Sequence, residues 1–216
     1  MSGFVGASHE FHDAEFVRGW ASRFVPTAPR LQLFDMILEE VEKLGKPEAH
    51  VLELGTGPGY MARHMLERNQ SISFEALDFS DVFMDVARET LGGLTARVTF
   101  TNADLMAQDW PSKLSKQPDA IVSTWALHDL GGPQPVADVY ARCYEVLPAG
   151  GLLANGDFIK PDGTDWDFEA GRFEIDRHLE FLRAAGFENP GSRIHLEANI
   201  VDPTAAQNYA LLVAHR

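Results

Sequence analysis

The sequence holds a single cysteine, Cys143, among its 216 residues. No intramolecular disulfide can form, and no multi-cysteine metal site can be built. No apolar run reaches the ~18 residues that a membrane-crossing helix requires. Basic residues are scarce: 18 Lys and Arg stand against 32 Asp and Glu, for a formal net charge of −14. Such a surface repels phosphate backbones and anionic lipid, and no cluster of Lys and Arg offsets it, so neither nucleic acid nor membrane is expected as a partner. The opening residues, MSGFVGASHEFHDAEF, carry neither a basic nor an apolar signal region. Repeats and low-complexity stretches are missing as well. What remains is an ordinary globular composition, 45% hydrophobic and 23% charged, in a chain long enough to bury its own core. The expectation is a cytoplasmic protein, monomer or homodimer.

Residues 1–47 read as a helical lead-in or lid. Phe16, Trp20 and Phe24 recur at four-residue spacing, one face of a helix over 8–25, which Pro26 and Pro29 are expected to break. Phe34, Ile37, Leu38, Val41 and Leu44 mark a second helix over 31–44, closed by Gly45 and Pro47. Residues 48–216 then alternate as one unit. Short apolar runs at 50–54, 72–77, 97–101, 120–124 and 151–158 read as strands. Amphipathic stretches at 59–68, 81–91, 135–147 and 173–185 read as helices. This is an α/β pattern, a mostly parallel sheet with helices on both faces. The last apolar runs, 192–196 and 209–214, have no helix between them and read as an antiparallel hairpin at the sheet edge.

The strongest local signal is Val51-Leu52-Glu53-Leu54-Gly55-Thr56-Gly57-Pro58-Gly59-Tyr60, a strand entering three alternate glycines and then a helix. Glycines permit a tight turn and close ligand approach, and a helix N-terminus favours electron-rich groups. A tight turn with no ligand is the alternative. A dinucleotide fingerprint would space the third glycine one residue later. Glu53 would repel a pyrophosphate and suits a ligand with an amino group. Asp78, at the end of the next strand, can accept from two ribose hydroxyls; it can also cap the following helix, although Ser80 is better placed to do so.

These residues resemble the class I S-adenosylmethionine-dependent methyltransferases, over about residues 48–215. Glu53 to Gly59 looks like the first motif of that family, which assigns Glu53, Gly55, Thr56, Gly57 and Gly59 to the donor. Leu77-Asp78-Phe79-Ser80 looks like its ribose-binding segment. Asn102-Ala103-Asp104-Leu105 looks like the segment that holds the adenine amino group. Pro118-Asp119-Ala120-Ile121-Val122 resembles the fourth strand, whose end carries Thr124 toward the donor. Leu147-Pro148-Ala149-Gly150-Gly151-Leu152-Leu153 resembles the turn into the fifth. The resemblance implies a Rossmann-like seven-stranded sheet of order 3-2-1-4-5-7-6 with strand 7 antiparallel, and S-adenosylmethionine as cosubstrate. Asp104 would accept from the adenine amino group and Leu105 or Met106 would cover the ring. Phe79 would pack on the adenine face or, alternatively, in the core; Asp104 can instead start a turn.

Methyl transfer needs alignment above all, plus a base where the acceptor is a hydroxyl. His128 follows the fourth strand and is suited to that task. Trp125-x-x-His128-Asp129, with Cys143-Tyr144-Glu145-Val146-Leu147-Pro148 further on, looks like small-molecule O-methyltransferases that act on phenols, in which the histidine is the base. That group carries an N-terminal dimerisation domain where this sequence has its lead-in. The other reading of His128 is a loop histidine bonded to backbone. Phe16, Trp20, Trp125 and Trp166 are candidate acceptor contacts, with Phe24 and Phe168 beside them, although the aromatic stripe would equally serve to dock the lead-in helix. His9, His12, His178 and His195 lack ligand spacing, and no metal is assigned. The expected function is methyl transfer to a small molecule, at oxygen, with His128 as base. The alternatives are a donor-binding regulatory or assembly protein, and an N- or C-methyltransferase working by proximity alone.

Overall fold

His50–Leu54 is buried at every position, as a strand covered on both faces must be, and it forms the middle of the sheet. The structure is a computed structural model describing residues 9–160, 170–196 and 208–216. Seven strands, β1 (His50–Leu54), β2 (Ser73–Asp78), β3 (Val98–Asn102), β4 (Ala120–Thr124), β5 (Leu152–Phe158), β6 (Glu188–Leu196) and β7 (Asn208–His215), lie in the order β3-β2-β1-β4-β5-β7-β6. The first five pair in parallel, while β7 runs antiparallel to both β5 and β6. The order and the terminal hairpin are those expected from the sequence.

Among the described residues, six helices cover the sheet: α1 (Ala14–Arg23), α2 (Ala28–Glu42), α3 (Tyr60–Arg68), α4 (Asp81–Leu91), α5 (Pro133–Val146) and α6 (Ile175–Ala185). Strand residues alternate between two cores. Val51, Phe74 and Val122 pack toward α2 and α3, and Leu52, Leu54, Leu77 and Ile121 toward α5 and α6. Among the described residues, no helix is long and apolar enough to cross a membrane.

The lead-in departs from the expected pattern in two ways. Pro29 does not break the chain; it stands in the first turn of α2, where its missing N–H costs nothing, so the helix begins at Ala28 rather than 31. The first helix is likewise shorter than 8–25. A 3-10 turn at Glu10–His12 precedes α1, which starts where Oδ1 of Asp13 accepts from Phe16 N at 2.7 Å. Its docked face is Val17 and Ala21 against Phe83 and Val86 of α4, with Trp20 alongside.

One buried carboxylate ties β2 to its neighbours. Glu75 accepts from Oγ1 of Thr101 at 2.6 Å and from N and Oγ of Ser115 at 3.0 and 2.5 Å, with Nε2 of His50 at 3.3 Å. Burial pushes this carboxyl up, but the bonds from His50, Ser115 and Thr101 outweigh it and hold it at about 2. Its stabilising contribution is therefore present above pH 4.5 and lost as pH falls toward 2. Glu75→Ala is expected to cost about 3–5 kcal/mol in urea unfolding at pH 7, because it strands several buried donors. A loss below 1 kcal/mol would show that the network is dispensable.

Candidate active site

The sheet order reverses between β1 and β4, and a crevice opens where the loops following these two strands part. After β1 the chain turns back against β2: Gly55 N and Thr56 N both donate to Leu77 O, at 2.9 and 3.0 Å. The turn needs glycine at Gly55, where φ is +67° and a Cβ would stand 2.5 Å from that of Ala126. Gly55→Ala is expected to lower stability by about 2 kcal/mol and to displace the loop after β4, read by thermal melting. At Gly57, with φ +50°, a Cβ would meet nothing within 4 Å, so the backbone here is open to a ligand.

Two carboxylates stand beside this loop. Glu53 is 2% exposed and accepts from Oγ1 of Thr56 at 2.6 Å. Asp78 is 4% exposed and accepts from Gly57 N at 2.8 Å and Ser80 N at 2.9 Å, while Ser80 caps α4 through Phe83 N. Burial pushes Glu53 up to about 8, against the Thr56 bond and with help from the charge of Asp78. Burial likewise lifts Asp78 to about 6, against the bonds from Ser80 and Gly57. Both groups are costly to ionise until a positively charged or hydroxyl-rich ligand arrives.

Beyond β4, Trp125 sits at φ +49°, a conformation costly for a bulky residue, with its N–H bonded to Gly156 O at 2.9 Å. The short turn Leu127–Leu130 then presents His128. Its Nδ1 lies 2.8 Å from Oδ1 of Asp157, and its Nε2 lies 3.3 Å from Oδ1 of Asp129. Asp157, 1% exposed near the end of β5, also accepts from Leu127 N and His128 N through Oδ2, at 3.0 and 3.1 Å, and from Phe158 N through Oδ1. Burial opposes charge on both partners. The charge of Asp157, its hydrogen bond and the charge of Asp129 nevertheless raise His128 above its ordinary value, and His128 holds Asp157 below the usual carboxylate range.

A cavity of about 410 Å³ joins these parts. Its wall includes Glu53, Gly55, Thr56, Gly57, Asp78, Phe79, Asp104, Leu105, Thr124, Trp125 and His128, with Trp20 and Phe24 from the lead-in. Gly59 is not in the wall; it lets α3 pack on Ala87. Phe16 is not in this wall; it lines a separate surface cleft with Gly19 and Arg23. Trp166 and Phe168 lie outside the described residues. Asp104 starts a turn, its Oδ1 accepting from Met106 N at 2.8 Å, and it also lines the cavity. Phe79 lies in the wall, edge-on to His12 with centroids 5.0 Å apart. The sequence reading missed Asp157, Arg30, Arg172 and Phe158, and also Phe11, Phe34, Tyr60, Met61 and Phe83, which line the same wall. A usable signal existed for Asp157 alone, as the one ionisable side chain in the run Leu152–Phe158.

Residues 51–151 match the family model described as a methyltransferase domain. Over this segment, just under half of the chain, the protein is similar to methyltransferase domains, and its sheet order is the one expected of the class I fold. The release factor glutamine methyltransferase of Bacillus cereus is 28% identical over 100 residues, covering 46% of this chain and 35% of that protein. The trans-aconitate 2-methyltransferase of Acidovorax sp. is 32% identical over 116 residues, covering 54% of this chain and 40% of that one. The methyltransferase domain thus spans well under half the length of these curated relatives. Among solved structures, an O-methyltransferase family protein from Burkholderia thailandensis aligns with a TM-score of 0.72 at 18% identity, over 96% of this chain and 61% of that chain. The wall suits S-adenosylmethionine, the cosubstrate that the sequence resemblance implies. The open backbone at Gly57 leaves room for close approach, and two buried carboxylates offer partners for an ammonium and for ribose hydroxyls.

Proposed function

We propose that this chain transfers the methyl group of S-adenosylmethionine to an oxygen of a small molecule, with His128 as general base. The observation that carries this reading is the His128–Asp157 pair, 2.8 Å apart, whose histidine stands in the wall of the cavity that also holds Glu53 and Asp78. The donor supplies a methyl already activated by a positively charged sulfur. Glu53 would meet its ammonium, Asp78 its ribose hydroxyls, and Asp104 with Leu105 its adenine. Trp20 and Phe24 of the lead-in would act as the lid on the acceptor side.

The base follows from the hydrogen bonds. Ionised Asp157 holds the proton of His128 on Nδ1, which leaves the lone pair of the neutral ring on Nε2, the nitrogen nearer Asp129. That nitrogen would take the hydroxyl proton as the oxygen attacks the methyl carbon in line. Because His128 titrates above 6.5, the neutral ring accumulates only at higher pH. Turnover on a hydroxyl acceptor is therefore expected to rise with pH through a midpoint above 6.5, read from initial rates across pH 5.5–9. A rising limb centred below 6.5 would remove His128 from the role.

The acceptor does not come with the fold. Two of the relatives carry the names of different acceptors, a release factor glutamine and trans-aconitate. The test is incubation with methyl-labelled donor and a panel of phenols, carboxylic acids and amines, alongside cell extract. Label on a hydroxyl oxygen supports the proposal. Label on nitrogen or carbon replaces it with proximity-driven transfer, and donor binding with no label in any pool replaces it with a regulatory role.

A further inference from the structure

Among the described glycines, Gly171 lies tightest against another backbone. A Cβ built on it would fall on the carbonyl oxygen of His128, 2.5 Å from its carbonyl carbon and 2.9 Å from its Cα. No side chain fits there, so glycine alone lets residues 171–173 lie against the turn Leu127–Leu130. This strap has anchors of its own. Phe173 stacks on His178 of α6, with centroids 3.9 Å apart and ring planes 19° from parallel, and its carbonyl accepts from Lys160 N at 3.2 Å. Arg172 lies over Phe158 at 4.2 Å, and the Phe158 ring meets His128 edge-on at 4.8 Å. From β5, Oδ2 of Asp157 accepts from Leu127 N and His128 N at 3.0 and 3.1 Å. The backbone of His128 is thus held by β5 through hydrogen bonds and by the strap through steric contact.

We infer that Gly171 is a positioning residue for His128: the strap of residues 171–173 keeps the turn Leu127–Leu130 against Asp157 and so fixes where Nε2 of the imidazole points. This rests on the reading of His128 as general base and adds the residue that holds the base in place. Gly171 itself is absent from the cavity wall, so it acts through His128 alone. A methyl added at Gly171 meets backbone rather than a side chain that can swing aside. The strap cannot withdraw without breaking the Phe173–His178 stack and the Lys160 bond, so displacement falls on the turn. The 2.8 Å contact between Nδ1 and Asp157 then loosens, and Nε2 leaves its line to the acceptor. The charges facing His128 are Asp157 from β5, Asp129 from its own turn and Arg172 from the strap, and Asp157 raises it by more than Arg172 lowers it. Loosening the pair therefore brings His128 down toward its ordinary value.

The test compares the full chain with Gly171→Ala and with Gly93→Ala, a site where a Cβ would meet nothing within 4 Å. Proton NMR titration of the histidine Cε1–H signals follows the base without any substrate, the His128 signal being the one lost in His128→Gln. Its midpoint should fall by at least about 0.5 in Gly171→Ala and stay in place in Gly93→Ala. In Gly171→Ala, kcat on a hydroxyl acceptor should drop about 10- to 100-fold, with S-adenosylmethionine affinity within about twofold of the parent. Thermal melting verifies that each variant folds. Should Gly171→Ala fail to fold, Phe173→Leu slackens the strap without adding an atom beside His128, and it should move the same midpoint in the same direction by less. An unmoved His128 midpoint in the folded variant overturns the inference, whether or not kcat falls. A midpoint that falls while kcat holds supports the positioning of His128 and instead strikes the general-base reading beneath it.

Discussion

The Glu53→Gln protein should bind S-adenosylmethionine roughly 10- to 100-fold more weakly and yet, without ligand, resist heat better than the parent at pH 8 and above. The two effects share one cause. Glu53 is buried, its one side-chain hydrogen bond among the described residues is from Thr56, and its folded value of about 8 lies far above the ordinary 4.5. A carboxyl raised in this way contributes stability that is fully present below pH 4.5 and is lost as pH rises through 8. The loss is at most about 5 kcal/mol, at ~1.4 kcal/mol per unit. Glutamine keeps the Thr56 bond and has no charge to bury, so its variant escapes the loss. It also has no charge to offer an ammonium. Melting curves at pH 5, 7 and 8.5, with calorimetric titration of the donor, read both effects. A variant that melts below the parent at pH 8.5 while binding the donor equally well would make Glu53 a structural residue.

Replacing His128 by Gln should lower kcat on a hydroxyl acceptor by about 10²- to 10⁴-fold while leaving donor affinity within a few-fold. Asp157→Asn should lower kcat too, and it carries a sharper signature. The charge of Asp157 raises His128, so its removal should move the rising limb of the rate profile to lower pH. A merely structural Asp157 would change stability, since three backbone N–H groups end on it, but would not move the limb. Turnover that persists in His128→Gln would end the general-base proposal.

Much of the donor side was legible because its chemistry is local. The glycine turn, Glu53 two residues before it and the acid ending β2 lie in continuous stretches, and strand or helix limits such as His50–Leu54, Asp81–Leu91 and Ala120–Thr124 follow from apolar runs bounded by turn residues and, at α4, by the Ser80 cap. The lead-in read less well. A proline that opens a helix and one that breaks it look alike in sequence, so Pro29 was misplaced. Four-residue aromatic spacing shows that a face exists, but α4 selects Val17 and Ala21 as the face that docks, and Phe16 is left away from the cavity. On the acceptor side, neighbours in sequence drew attention to Asp129. The shorter contact of His128 is to Asp157, 29 positions away and supplied by β5. Arg30 and Arg172 are single basic residues from separate segments, and only folding brings both to one wall.

The central claim is that a sulfonium nucleoside is gripped beside Glu53 and Asp78, and calorimetric titration with S-adenosylmethionine at pH 7 in buffers of different ionisation enthalpy tests it most directly. The account predicts saturable binding at one site with release of a proton. A Glu53 carboxyl that titrates at about 8 must ionise to meet the ligand's ammonium, and affinity should rise toward that pH. An absence of heat with this nucleoside, while NADH saturates the same crevice, would contradict the account.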